Sequence, residues 1–424
     1  MAGRKAFAQS APCYGGPFLL CIQAGGGWDT TMFFDPKAPF NGVVLNKAYE
    51  QPASRGPFRY APVDFVNGSF WLHSPEHFLG KYQNRMLLLN GVDMQTNAHP
   101  VGEQIAWGGH LSREYPAIGA LLALKATQSV GASCPVPCAF LTDGGGYTRT
   151  SGLISPSRVS ASGVRDLAYD NRFPGERDPN RLLRSEKTHQ NIQKAQEKRI
   201  QLLSQQLSMP ESKQALERYN KAMLDKSGLE ALAAALPSTP ITLEALRPGG
   251  GNAIDTLLQQ TELALSGFRS GTMAAASVSL GSFDSHSSND VTQRRLLGYL
   301  FVLLEYVLDT ADALGLSDKL TVVVGSEFSR TPEYNSLDNG KDHWNTSSYM
   351  LFGPGIRGGR VLGATAGNQY PEHVNPKNPA ALLSEESGGI VLKPGHVHHA
   401  LRRALGLSEF NAAYGFVEDD ISLF

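Results

Sequence analysis

Apolar residues in this chain come in short blocks that stop at polar or glycine-rich stretches. The segment PFLLCIQAGGGWDTT (17–31) opens with an apolar run of strand length and ends in three glycines, which predicts a first buried strand entering a tight turn. Residues 85–94 (RMLLLNGVDM) predict a second buried strand and 138–142 (CAFLT) a third. Between these two, 115–126 (YPAIGALLALKA) reads as a helix with proline near its first turn. After residue 265 the same alternation resumes. A strand runs into a loop over 273–286, a long apolar helix covers 293–314, and KLTVVVGSEF (319–328) is another strand. Residues 347–363 give a strand, a glycine-rich turn and a short strand, and 396–407 close the chain as an amphipathic helix. Strands alternating with helices predict an α/β fold.

One block breaks the pattern. Residues 151–265 are polar, helix-favouring and rich in Lys, Glu and Gln, so they predict amphipathic helices outside the sheet. The expected organisation is a core in two parts, 1–150 and 266–424, separated by a mainly helical insertion or cap over 151–265. RPGGGN (247–252) is its expected joint.

Composition narrows the class. With 424 residues, 41% hydrophobic and 18% charged, the chain is long enough for a large core and ordinary for a globular protein. A net charge of -1 argues against a nucleic acid or acidic membrane recognised by bulk charge. No run of about 18 apolar residues exists to span a membrane. The N-terminal MAGRKAFAQSAPC lacks the apolar stretch of an intact secretory signal. The four cysteines, Cys13, Cys21, Cys134 and Cys138, include no C-x-x-C spacing, so a zinc ribbon is not expected. Cys134 and Cys138 frame CPVPC, where a disulfide and free thiols both remain open.

The chemistry lies where strands end. The first strand leads to Asp29, the strand near 280 to Asp284 and His286, and the strand near 324 to Ser326 and Glu327. The loop FSRTPEYNSLDNGKDHWNT (328–346) then offers Arg330, Asp342 and His343. In open α/β sheets, ligands bind beyond the carboxyl ends of the strands. Parallel strands would bring these carboxylates and imidazoles to one edge, where like charges repel unless a cation sits among them. Asp, Glu and His are the ligand set for zinc, manganese or iron, with calcium or magnesium favoured if oxygens dominate. The expected ligands are Asp29, Asp284, His286, Glu327, Asp342 and His343. The competing structural roles are a helix cap for Asp29 and a turn-spanning ion pair between Glu327 and Arg330.

GGGWDTT, GSFDSH, VVVGSEFSRTPEYN with KDHW, and GIRGGRVLG together resemble a bacterial family known as domain of unknown function 1501, in matching order and over most of the chain outside 151–265. That family is placed in the alkaline phosphatase and sulfatase superfamily. The resemblance implies a large, mostly parallel central sheet between helices, with metals at the carboxyl ends of its strands. It implies Asp29 as the first-strand ligand, Asp284 and His286 as the mid-chain pair, and His343 as the late histidine with Asp342 beside it. It also implies export, to the periplasm for example. Two departures stand out: Asp-x-His replaces Asp-x-x-x-His, and Glu327-Phe328 replaces an Asp-His pair, so one metal or a reshaped pair is expected.

The superfamily's nucleophile sits at a helix N-terminus. MQTNAHPVGEQ (94–104) is the segment placed for it, with Thr96 as candidate nucleophile and His99 as ligand or acid; Thr30 and Thr31 are rivals. Arg330 is the candidate to steady an anionic group. The expectation is a hydrolase of phosphate or sulfate esters dependent on a divalent metal, zinc foremost, with calcium, magnesium or manganese as alternatives. Its partner is a small or polymeric anionic ester. The alternative is a non-catalytic exported binding or envelope protein on the same fold.

Overall fold

A computed structural model describes residues 14–424 apart from 69, 113–114, 131–138, 143–146, 148, 150–153, 155–156, 177, 179, 214–215, 217–225, 337 and 417–420. Seven strands form the central sheet: β1 (Phe18–Ala24), β2 (Leu87–Asp93), β3 (Ala139–Thr142), β4 (Met273–Leu280), β5 (Leu320–Gly325), β6 (Thr346–Phe352) and β7 (Arg360–Leu362). Their order across the sheet is β7-β2-β6-β5-β1-β4-β3. β6 runs antiparallel to both of its neighbours, and every other pair is parallel. β1 is buried at all seven positions, as a central strand covered on both faces must be. Cys21 on this strand is a free thiol pushed up to about 12 by burial. The other three cysteines lie outside the described residues.

Five helices matter for the argument: α1 (His99–Gly108), α2 (Ile118–Val130), α3 (Asp255–Ser270), α4 (Asn289–Ala313) and α5 (Pro394–Ala404). α2 and α3 pack against β4, and α5 packs against α1. α3 runs through residue 265, the boundary expected for the insertion, and its buried face belongs to the main core. By contrast, the helix Glu186–Gln206 buries only Ile200, which fits the polar pattern of that block. Among the described residues no helix is long and apolar enough to cross a membrane.

The register explains why distant residues meet. Ala24 at the end of β1 pairs with Leu280 at the end of β4, and Gln23 pairs with Gly325 at the end of β5. Thr346, the first residue of antiparallel β6, pairs with Asp93, the last residue of β2. The loops after β1, β2, β4 and β5 and the loop before β6 therefore open on one edge.

Candidate metal centre

Asp284 is the hub at that edge. Its Oδ1 lies 2.8 Å from Arg330 Nη2, 3.1 Å from His286 Nε2 and 3.2 Å from His343 Nε2, and its Oδ2 lies 3.6 Å from His99 Nε2. The two imidazole nitrogens His286 Nε2 and His343 Nε2 are only 3.1 Å apart. His99 opens α1, His286 sits two residues past Asp284, and His343 begins the short ladder that pairs Arg330 with His343. Asp284, His286 and Asp342 are each partly open to solvent.

The far nitrogen of each ring fixes its tautomer. His343 Nδ1 is 2.8 Å from the Asn97 carbonyl, which can only accept. His286 Nδ1 is 2.8 Å from Asp342 Oδ1, and His99 Nδ1 is 2.9 Å from Glu327 Oε1. Each Nδ1 therefore carries the hydrogen and donates it. The three Nε2 atoms are left turned toward one carboxylate. A proton or a metal cation between them relieves that contact, and the orientation is the one that outer carboxylates and carbonyls impose on metal-bound histidines. His99, Asp284 and His343 each place a ligand atom within 4.8 Å of the others.

The charged groups respond to this packing. Burial pushes the Asp284 carboxyl up, but Arg330 and the His343 contact outweigh it and hold Asp284 below the usual carboxylate value. Hydrogen bonds from Asn335 and His286 lower Asp342 as well. The Glu327 contact raises His99 above the ordinary imidazole value despite partial burial. Burial, and then the nearby Glu327, raise Glu103, one turn along α1 from His99.

The structure brings together Asp284, His286, His343 and His99, with Asp342 and Glu327 behind them. Glu327 is buried and holds the Gly26 amide at 2.6 Å as well as His99, so it orients the His99 ring and does not face the gap itself. Asp342 does the same for His286, and Asn335 steadies it at 3.0 Å.

Asp29 is not brought to the cluster. It is fully buried and caps the short 3-10 turn Thr30–Met32, with Oδ1 accepting from the Thr31 amide and hydroxyl. Its Oδ2 accepts from Asn289 at 2.9 Å and pairs with Lys341 Nζ at 2.8 Å. A lysine meets this carboxylate where a metal was expected. Arg330 is also fully buried. It bonds the Gly26, Gly27 and Lys341 carbonyls besides Asp284, so it braces Asp284 and the loop and has no surface left for a substrate. Thr96 Oγ1 accepts from the Ala98 amide within its own turn, and Ala98 occupies the N-cap of α1. Thr30 and Thr31 are buried, and their hydroxyls take part in internal hydrogen bonds.

Sequence reasoning missed Lys341, Asn97, Gln23 and Glu103. Gln23 Nε2 lies 3.2 Å from Glu103 and 3.4 Å from Glu327, and its Oε1 accepts from Trp107 at 2.9 Å. A lone glutamine inside the apolar FLLCIQA run was the available signal, since a buried amide needs partners. Two glycines make the close approaches work. Gly26 has φ +113, and a Cβ there would meet the Asp284 amide; a Cβ on Gly102 would lie 2.6 Å from the Glu327 carbonyl.

A family profile described as "Protein of unknown function (DUF1501)" matches residues 19–401. No curated protein matches the chain. Among solved structures, the chain is similar to the lipoteichoic acid synthase LtaP from Listeria monocytogenes, at 8% identity, 83% of this chain, 70% of that one and a TM-score of 0.32. It is similar to a magnesium-bound variant of TAB5 alkaline phosphatase at 9% identity, 81% and 92% coverage and a TM-score of 0.34. It is also similar to the PsFucS1 sulfatase from Pseudoalteromonas sp. at 10% identity, 84% and 66% coverage and a TM-score of 0.30.

Proposed function

This chain belongs to the DUF1501 family, and from that premise we propose that it is a metal-dependent hydrolase of phosphate or sulfate esters. One observation carries the reading: His99, Asp284 and His343 bring ligand atoms within 4.8 Å of one another, His286 Nε2 lies 3.1 Å from both Asp284 and His343, and each imidazole meets an acceptor on its far side. Three nitrogens and an oxygen are the donor set of a zinc site, with manganese or iron as alternatives. His99, His286, His343 and Asp284 would hold the ion. Bound there, it would polarise an ester oxygen and lower the pKa of a water.

The chain's own residues divide the remaining work. Glu327, Asp342 and the Asn97 carbonyl keep the three rings in the ligating tautomer. Arg330 fixes the Asp284 carboxylate from below. α1 begins at His99, so the positive end of its dipole lies beside the cluster and favours an anionic substrate. Thr30 and Thr31 are buried with their hydroxyls in internal bonds, and Thr96 Oγ1 accepts from the Ala98 amide, so this reading takes water as the nucleophile.

A panel of phosphate and sulfate monoesters and diesters, offered to chelator-stripped and zinc-reloaded protein, tests this. Hydrolysis should appear on reloading and vanish in a folded His286→Ala variant. No turnover by reloaded protein on any ester, or equal turnover by the variant, would overturn the reading.

A further inference from the structure

The Asp29 pair bears on how many ions the protein holds, and this inference rests on the metal reading above. Asp29 and Lys341 are both fully buried and 2.8 Å apart. Lys341 Nζ also lies 3.3 Å from Thr31 Oγ1 and 5.0 Å from the centre of the Tyr334 ring. Neither side chain has solvent to fall back on, so removing either partner would leave the other as an uncompensated buried charge. The lysine is also pinned by its backbone: its amide donates to the Ser285 carbonyl and its own carbonyl accepts from Arg330. These main-chain bonds anchor the residue between the two loops that carry Asp284, His286 and His343 whatever its side chain does. We infer that the centre is mononuclear, with the Lys341 ammonium permanently filling the place beside Asp29 that a second cation would need.

Charge balance at the cluster agrees. Of the carboxylates that touch the ring nitrogens, Asp284 is paired with Arg330, and Asp342 and Glu327 remain as two negative charges that a single divalent ion offsets. Among the described residues a second gathering of histidines and a carboxylate, His73, His77 and Glu305, is already neutralised. Lys81 Nζ lies 2.7 Å and Arg247 Nη2 2.8 Å from the Glu305 oxygens, and Arg247 also lies 2.6 Å from His73 Nε2. Two fixed cations there oppose a third.

Chelator-stripped protein incubated with excess zinc, dialysed and analysed by plasma mass spectrometry should retain one equivalent per chain. The double variant Asp29→Asn/Lys341→Met removes both buried charges while keeping a capping side chain, and it too should retain one equivalent with unchanged affinity. Two equivalents in the wild type, or a tenfold or greater loss of zinc affinity in the folded double variant, would overturn the inference and leave the hydrolase reading standing. Zero equivalents in the wild type would overturn both.

Discussion

Individual side chains near Asp284 owe their role to what lies behind them. His286 is a ligand in this account because Asp342 takes its Nδ1 hydrogen, so removing Asp342 should loosen the metal without touching it. Asp342→Ala is expected to lower zinc affinity by about 10- to 100-fold, measured by competition with a chelator of known strength. A second residue sets a pH dependence away from the centre. His398 is buried on α5 and donates to the Ala106 carbonyl, and burial lowers it from 6.5 to about 4. Its unfolded form takes up a proton below about 6.5 while the folded form stays neutral, so stability falls as pH drops from about 6.5 to about 4. The drop attributable to this residue is about 3 kcal/mol. Urea unfolding at pH 7 and pH 4.5 should show it, and His398→Gln should reduce the difference. At this scale the gathering of Asp284, His286, Asp342 and His343 at one edge was legible because each follows an apolar strand or sits in the loop before one. Asp29 was misread for a physical reason. An acidic residue after a strand looks the same whether a metal or a lysine more than 300 positions away neutralises it.

Elements carry the next level of the argument. α1 brings His99 to the cluster only because Gly102 lets the helix lie against the Glu327 backbone. Gly102→Ala should push the helix off, destabilise the fold by about 1–3 kcal/mol and weaken zinc binding in the folded fraction. Denaturant unfolding and metal titration on the same preparation would check both effects. The apolar blocks foretold the sheet: all seven strands lie where alternation with helices placed them. α1 was harder to read. Its segment HPVGEQIAWG mixes a proline, two glycines and a tryptophan, and its place is set by packing against α5 and Glu327 more than by local propensity. The polar groups of the loop after β5 were legible, but which of them face the cluster depended on contacts with Gly26 and Gly27 across the edge.

Across the whole molecule, the centre belongs to the sheet edge and not to the polar helical block. The helix Glu186–Gln206 has one buried residue and four trypsin-sensitive side chains, Lys187, Lys194, Lys198 and Arg199. Regions with few buried apolar contacts open most readily. Brief trypsin treatment should therefore nick this helix first, and the nicked protein should keep its zinc; metal loss in step with this cleavage would tie the block to the centre. The most direct test of the account is anomalous diffraction at the zinc edge from crystals of reloaded protein. A single strong peak bounded by the Nε2 atoms of His99, His286 and His343 and by Asp284 is the expected result. A map with no peak there, or with its peak beside Asp29 or Glu305, would contradict it.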